Sequence, residues 1–170
     1  NVKRFQVEKP TGYTFVPGQA TEISINKAGL ENELRPFTFT CLPDADHLEF
    51  MIKIYTGHQG MTEKLLGVEE GDELILHEVF GTIHYEGPGL FIAGGAGITP
   101  FIAILRHLYF KEHGKQNQLA GNRLLFANRT QEDIILKSEL KQILADHYHD
   151  VIEVPASGGQ GRRIDLELLR

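Results

Sequence analysis

The chain has 170 residues, a net charge of −6, and ordinary hydrophobic (41%) and charged (24%) fractions. This length allows one domain or two small ones with a proper core, and the composition is typical of a globular protein. The sequence has no basic block of the density that nucleic-acid binding needs, and no apolar run long enough to span a membrane. Cys41 is the only cysteine, so no internal disulfide can form and we expect a reducing, cytoplasmic location.

The first half of the chain has the pattern of β-structure. Short apolar or alternating runs predict strands at 2–7, 20–25, 34–42, 48–54 and 73–79, separated by turn signals rich in Gly, Pro and Asp. One short helix is predicted at 61–66. Evenly spaced short strands predict a small antiparallel β-barrel.

The period changes in the second half. Strands at 90–93, 123–127 and 151–154 alternate with helices at about 100–113 and 132–147, and another helix is predicted to begin at 164–169. This alternation predicts a parallel α/β sheet of the nucleotide-binding type. The segment 86–89, Glu-Gly-Pro-Gly, suits neither a strand nor a helix, so we predict two domains, 1–87 and 88–170.

The most informative stretch follows the strand at 90–93. Gly94, Gly95 and Gly97 put three glycines into four residues, directly before Ile98, Thr99 and a helical pattern. Free N–H groups at such a helix start suit a phosphate, and glycine lets a pyrophosphate approach the backbone. The alternative interpretation is an ordinary turn between a strand and a helix.

A second candidate site lies in the strand predicted at 34–42. Alternation places Arg35 and Phe37 on one face together with Phe39, while Thr38 faces the other way. An arginine beside an aromatic ring suits a flat, anionic ligand, and a threonine hydroxyl can bond a ring nitrogen. Routine strand residues with a surface arginine are the alternative.

Further along, Lys53 is predicted in mid-strand, where its charge needs solvent or a partner. Gly60 precedes Thr62 at the short helix and predicts a second anion site of backbone N–H groups. A solvated lysine and a simple turn glycine are the alternative interpretation.

Taken together, these motifs resemble the ferredoxin–NADP reductase superfamily. Arg35, Pro36, Phe37 and Thr38 look like its Arg-x-Tyr/Phe-Ser/Thr flavin motif, and Gly94 to Pro100 resembles its nicotinamide-nucleotide loop. The motifs occur in the family's order along essentially the whole chain. Within the superfamily, the chain looks most like flavodoxin or ferredoxin reductases and related reductase modules.

The resemblance implies FAD in residues 1–87 and NADPH or NADH in residues 88–170, with a hydride passing from nicotinamide to flavin. It gives Thr38 the catalytic role, a hydrogen bond near flavin N5, while Arg35 neutralises the flavin phosphates. The residues implied to bind FAD are Arg35, Pro36, Phe37, Thr38, Lys53, Ile54, Tyr55, Gly60, Met61 and Thr62. The residues implied to bind the nicotinamide nucleotide are Gly95, Ala96, Gly97, Ile98 and Thr99.

Two departures from the family pattern stand out. Phe37 occupies a position where many members have tyrosine, which keeps the stacking surface but lacks a ring hydroxyl. The family's Cys-Gly-Pro segment, on the nicotinamide side, does not occur in the chain. We therefore expect the second domain to be incomplete at its C-terminal side.

Coenzyme preference is expected to depend on the residues after the strand at 123–127. An acidic residue there would favour the free 2′-hydroxyl of NAD, whereas arginine can take the 2′-phosphate of NADP. Asn128 is neutral and Arg129 is cationic, which leans towards NADPH. Arg129 could instead stack on adenine or point outward, and Asp133 is predicted to cap a helix.

These features predict a flavoprotein oxidoreductase that supplies a one-electron acceptor protein such as ferredoxin, flavodoxin or a fused redox module. One alternative is an electron-transfer or regulatory subunit that binds flavin without strong NAD(P)H turnover. Another is a nucleotide-binding domain joined to an unrelated barrel without flavin. No metal site is predicted, and Cys41 is interpreted as a buried, inert thiol.

Overall fold

The computed structural model describes residues 1–57, 59–111, 119–155 and 161–165. The chain forms two compact units, Asn1–Tyr85 and Glu86–Arg170. Among the described residues, no helix is both long enough and apolar enough to cross a bilayer.

The first unit consists of antiparallel strands and one short helix. Its strands are β1 (Val2–Glu8), β2 (Ala20–Ile25), β3 (Arg35–Thr38), β4 (His47–Lys53) and β5 (Leu74–Phe80), and its helix is α1 (Met61–Lys64), followed by a 3₁₀ turn at Leu65–Gly67. β1 pairs with β4, and β2 lies between β3 and β5. The predicted antiparallel first domain is confirmed.

One apolar core serves both sheets of this unit. The inward residues of β2 and β4 supply it, as the alternation of the sequence predicts. Phe39 is fully buried at its centre, stacked on Phe15 with ring centroids 4.2 Å apart and 5.2 Å from the ring of Phe50. Contacts between aromatic rings add to the energy gained by burying them.

The strand predicted at 34–42 is wrong in its length, because β3 ends at Thr38. Phe39 still donates its N–H to Gln19 O (3.2 Å), but the next N–H, that of Thr40, turns to Glu49 O on β4 (2.9 Å). The chain therefore leaves one sheet for the other. The same turn places the Phe39 side chain in the core, whereas Arg35 is exposed.

The described residues of the second unit form a three-stranded parallel sheet with two helices. Its elements are β6 (Leu90–Gly94), α2 (Thr99–Lys111), β7 (Arg123–Asn128), α3 (Lys137–Leu144) and β8 (Tyr148–Ile152), with 3₁₀ turns at Gly95–Ile98, Gln131–Asp133 and Ala145–His147. The strand order is β6-β7-β8. The ion pair between Arg106 on α2 and Glu139 on α3 agrees with both helices lying on one face, as right-handed crossovers in this strand order would place them. The predicted α/β domain is confirmed.

The helix predicted at 132–147 is wrong at both ends, because α3 spans only Lys137–Leu144. A capping box closes the short turn after β7, since Asp133 accepts hydrogen bonds from Thr130 N (3.3 Å) and Oγ1 (3.2 Å); the predicted capping role of Asp133 is confirmed. Leu136 then adopts a left-handed conformation (φ 51°), so α3 begins only at Lys137.

The last strand also differs from the prediction at 151–154. β8 spans Tyr148–Ile152, and the side chains of Tyr148 and Val151 are both buried although alternation places them on opposite faces of the sheet. Of the helix predicted at 164–169, only residues 164 and 165 are described, and neither is helical. Residues 112 and 113, predicted to end the helix after Pro100, lie outside the described residues.

Candidate functional site

The glycine-rich turn lies between β6 and α2, as its spacing predicts. Gly95 has a left-handed φ of 51°, which a side chain would strain, and Gly97 follows in the same 3₁₀ turn. A Cβ built on Gly94, Gly95 or Gly97 would meet no atom within 4 Å. The backbone of this turn therefore borders open space, and a phosphate group could approach it.

Two side chains at the end of this turn stabilise it. Ile98 is fully buried, and Thr99 Oγ1 donates to Ala96 O at 3.1 Å. The contribution that Ile98 can make to a ligand is therefore limited to its backbone. α2 starts at Thr99, so its positive helix end lies at the turn.

Asn128 lies next to this turn in the sheet. β6 and β7 are parallel with Gly94 opposite Ala127, so Asn128 at the end of β7 lies alongside Gly95. Asn128 is 6% exposed, and neither Nδ2 nor Oδ1 has a hydrogen-bond partner. A buried amide without partners is costly, and a polar group or water bound at this position would complete its hydrogen bonds.

Arg129, the other residue predicted to choose between coenzymes, is exposed one position beyond the strand. Its carbonyl accepts the N–H of Val154 at 2.8 Å, which fixes its backbone against the segment after β8. The guanidinium is thus presented on the surface from a fixed backbone at the edge where Asn128 lies.

In the first unit, the predicted flavin motif forms the strand β3. Arg35 is exposed, and its Nη1 donates to the carbonyl of its neighbour Leu34 at 2.7 Å. Phe37 is half-buried against the core, opposite Thr21 on β2, and Thr38 is half-buried opposite Ala20. The motif thus runs from an exposed cation to a half-buried hydroxyl on one strand.

Lys53 and Tyr55 lie at and just beyond the end of β4. The Lys53 Nζ is 6.0 Å from the centre of the Tyr55 ring, and that ring is 52% exposed. An exposed aromatic ring beside a cation offers a stacking surface for a flat anionic ligand. Ile54 differs, because its side chain belongs to the core.

Gly60 caps the single turn of α1 with its carbonyl, and Met61 is buried in the core. The N–H groups of Gly57 and Gln59 donate to the carboxylate of Glu63, at 3.0 and 2.7 Å. Sequence reasoning missed this use of Glu63. Its signal was the acidic residue three positions after the N-cap glycine, the usual place for a carboxylate that accepts N-terminal N–H groups.

These two groups of residues offer different features to a ligand. The second unit combines a glycine backbone in open space with an orphaned buried amide, and the first combines an exposed arginine, an exposed aromatic and a half-buried hydroxyl.

Cys41 is buried, as predicted, and burial raises the pKa of its thiol. Within the described part of the chain, no three His, Cys, Asp or Glu side chains cluster as metal ligands.

Comparison with known proteins gives consistent matches. The family model described as the oxidoreductase NAD-binding domain matches residues 91–166. The reductase component of propane 2-monooxygenase from Rhodococcus jostii is 34% identical over 79% of this chain and 36% of its own length. The reductase component of the naphthalene 1,2-dioxygenase system from Pseudomonas putida, a ferredoxin–NAD(P)(+) reductase, is 28% identical over 94% of this chain and 49% of its own.

Solved structures share the fold. A ferredoxin NADP+ reductase from Neisseria gonorrhoeae with bound FAD and NADP superimposes with a TM-score of 0.76 at 21% identity, covering 99% of this chain and 69% of that one. The cytochrome b5 reductase domain of Ulva prolifera nitrate reductase gives a TM-score of 0.70 at 24% identity, covering 98% and 74%. The chain spans only about half the length, or less, of the curated relatives above.

Proposed function

We propose that the chain is a member of the ferredoxin–NADP reductase superfamily and part of a flavoprotein oxidoreductase. The reaction is hydride transfer from NAD(P)H to FAD, followed by delivery of single electrons to an acceptor protein. A bound flavin supplies this conversion between a two-electron donor and one-electron acceptors. The relatives named as reductase components of a monooxygenase and a dioxygenase support this class of reaction.

The observation that carries the proposal is the glycine turn with Asn128 beside it. Gly95 and Gly97 leave open space above a helix start, and the buried amide of Asn128 lacks partners. In this proposal the backbone of residues 95–99 holds the nicotinamide nucleotide, and the side-chain amide of Asn128 forms its hydrogen bonds with the same ligand. Arg129 takes the 2′-phosphate of NADPH, which makes NADPH the preferred reductant over NADH.

On the flavin side, the exposed guanidinium of Arg35 neutralises the FAD phosphates. The backbone of residues 60–62 holds the pyrophosphate, and Phe37, Lys53 and Tyr55 bind along the flavin. Thr38 donates or accepts a hydrogen bond near flavin N5, which makes it the catalytic residue. The acceptor is a ferredoxin, a flavodoxin or a similar redox module, and the lone buried Cys41 fits a reducing cytoplasm.

The test is to load the full-length protein with FAD and to add NADPH or NADH without oxygen. We expect a yellow protein whose flavin absorbance bleaches, faster with NADPH. Arg35→Ala should lower the FAD content, whereas Arg123→Ala, which also removes an exposed strand arginine, should leave it unchanged. A protein that takes up no FAD contradicts the proposal, and bound FAD that neither coenzyme reduces favours an electron-transfer or regulatory subunit.

A further inference from the structure

The two sheets of the first unit meet directly after the predicted flavin strand. Phe39 N–H still bonds to β2 through Gln19 O, and Thr40 N–H bonds to Glu49 O on β4. The chain passes from one sheet to the other within these two residues. Thr38 immediately precedes them, so the orientation of Thr38 depends on how this junction is fixed.

The side chain of Glu49 makes that junction unusual. Glu49 is 2% exposed, and its Oε2 pairs with Arg4 Nε at 2.6 Å. Its Oε1 accepts a hydrogen bond from Thr40 Oγ1 at 2.8 Å, shorter than the 3.1 Å from the same hydroxyl to the Glu49 carbonyl oxygen. Its own N–H donates to Cys41 Sγ at 3.3 Å. These four residues, which we call the Glu49 junction, connect β1, β4 and the segment after β3.

A buried carboxylate is a poor way to gain stability alone. Removing the carboxylate from water costs several kcal/mol. Apolar side chains of similar volume often stabilise a core at least as much as a buried ion pair does. What the carboxylate does provide is direction, because charge-assisted hydrogen bonds hold their partners at short, defined distances. In the Glu49 junction the partner so held is Thr40, two residues from Thr38.

We propose that Glu49 is a positioning residue for the flavin strand: through Thr40, it holds Thr38 where its hydroxyl meets the flavin ring. This rests on the proposed function, since Thr38 has this task only when FAD is bound. In this role Glu49, which is 2% exposed, acts on the ligand only through Thr40 and Thr38. Its loss should therefore alter the ring environment and the rate of flavin reduction, while FAD affinity, which depends on phosphate contacts, changes little.

The sharpest probe is the Thr40 hydroxyl, because it can be removed and restored. Thr40→Val keeps the shape of the side chain and loses the bond to Glu49, whereas Thr40→Ser keeps a hydroxyl. Glu49→Gln tests the carboxylate directly. Ile25→Val serves as the matched control, because Ile25 is in the same core, at the end of β2 paired with Leu74 and away from the junction.

All variants are made in the full-length protein and loaded with FAD. The readouts are the FAD dissociation constant, the positions of the flavin absorption and circular-dichroism bands, and the rate of flavin reduction by NADPH. A small misplacement of a catalytic group costs about ten- to a hundredfold in rate, which is the loss we expect for Thr40→Val and Glu49→Gln. Their flavin bands should shift, their FAD dissociation constants should stay within about threefold of wild type, and Thr40→Ser should recover most of the rate.

The outcomes separate the two proposals. If the wild-type protein binds no FAD, the proposed function is wrong and the role of Glu49 falls with it. If the wild type is reduced normally and Thr40→Val behaves like Ile25→Val in rate and spectrum, the positioning role is overturned while the function stands. Should Glu49→Gln fail to fold, the comparison of Thr40→Val with Thr40→Ser still decides.

Discussion

Arg106 on α2 and Glu139 on α3 form a two-point ion pair, with Nε–Oε1 at 2.5 Å and Nη2–Oε2 at 2.9 Å. The Arg106 side chain is 13% exposed and that of Glu139 is 34% exposed. Bidentate geometry and partial burial make such a pair stronger than an exposed one. Because α2 begins directly after the glycine turn, this ion pair also fixes the helix that follows the turn.

We therefore expect Glu139→Gln to lower the free energy of unfolding by about 1–3 kcal/mol, since it weakens bonds to a charged group. Denaturant unfolding measures this change. Glu33→Gln is the matched control, because Glu33 pairs with Lys64 at 2.6 Å where both side chains are about a third exposed. Its cost should stay below about 1 kcal/mol; equal losses for the two variants would contradict the argument.

The buried amide of Asn128 predicts that removing it lowers coenzyme binding without lowering the stability of the ligand-free protein. Its Nδ2 and Oδ1 have no partners, so Asn128→Leu should leave the ligand-free protein as stable as wild type or more stable, by up to about 1–3 kcal/mol. The same change should weaken nicotinamide-nucleotide binding. Thermal unfolding without ligand and a coenzyme titration measure the two effects.

Asn122 supplies the control for that experiment. It is fully buried as well, but its Oδ1 accepts the N–H of Gly89 at 3.1 Å. Asn122→Leu should therefore destabilise the protein, because it leaves a part-buried N–H without this acceptor. If both variants lose stability equally, Asn128 is satisfied within the chain and its assignment to the nucleotide site is wrong.

Sequence patterns predicted the elements better than the junctions between them. Period-2 and period-3.6 patterns located β2 and α2 closely, because buried apolar side chains recur at strand spacing in β2 (Ile23 and Ile25) and at helix spacing in α2 (Ile102 and Leu105). They failed at 34–42 and 132–147, where the direction of the chain is decided by contacts distant in sequence or by a local cap. Thr40 turns towards Glu49 on β4, and Leu136 adopts a left-handed conformation that no propensity for leucine predicts.

The candidate sites divide in the same way. Gly95 and Gly97 carry a local signal, since a strand, glycines and a helix start adjoin one another in the sequence. The environment of Asn128 carries none, because its burial and its missing partners depend on the packing of the sheet. The use of Glu63 by the Gly57 and Gln59 N–H groups was detectable only as a capping position.

The two glycines of the turn should respond differently to alanine. Gly95 has a φ of 51°, so Gly95→Ala costs about 1–2 kcal/mol of stability through backbone strain. Gly97 has no such φ, and its added Cβ would meet nothing within 4 Å, so Gly97→Ala should fold normally. Both methyl groups would enter the space proposed for the phosphates and weaken coenzyme binding. Unaltered binding by a well-folded Gly97→Ala variant would remove this backbone from the site.

Tyr148 gives a prediction for alkaline pH. Its hydroxyl donates to Asp150, which also pairs with Lys137 Nζ at 2.5 Å. Burial raises the pKa of Tyr148 well above its usual value of 10, and the hydrogen bond to Asp150 and the nearby carboxylate charge raise it further. The folded state thus keeps this proton at a pH where the unfolded state releases it.

Because the unfolded state then binds fewer protons, stability should fall as pH rises above about 10, by about 1.4 kcal/mol per pH unit for this group. Tyr148→Phe removes this dependence, although it costs about 1 kcal/mol at neutral pH through the lost hydrogen bond. Denaturant unfolding from pH 8 to 11 should give a shallower alkaline decline for Tyr148→Phe than for wild type. Tyr55→Phe, which alters a ring that is 52% exposed, should leave the wild-type slope unchanged. Identical slopes for wild type and Tyr148→Phe would show that the Tyr148 proton is not held by folding.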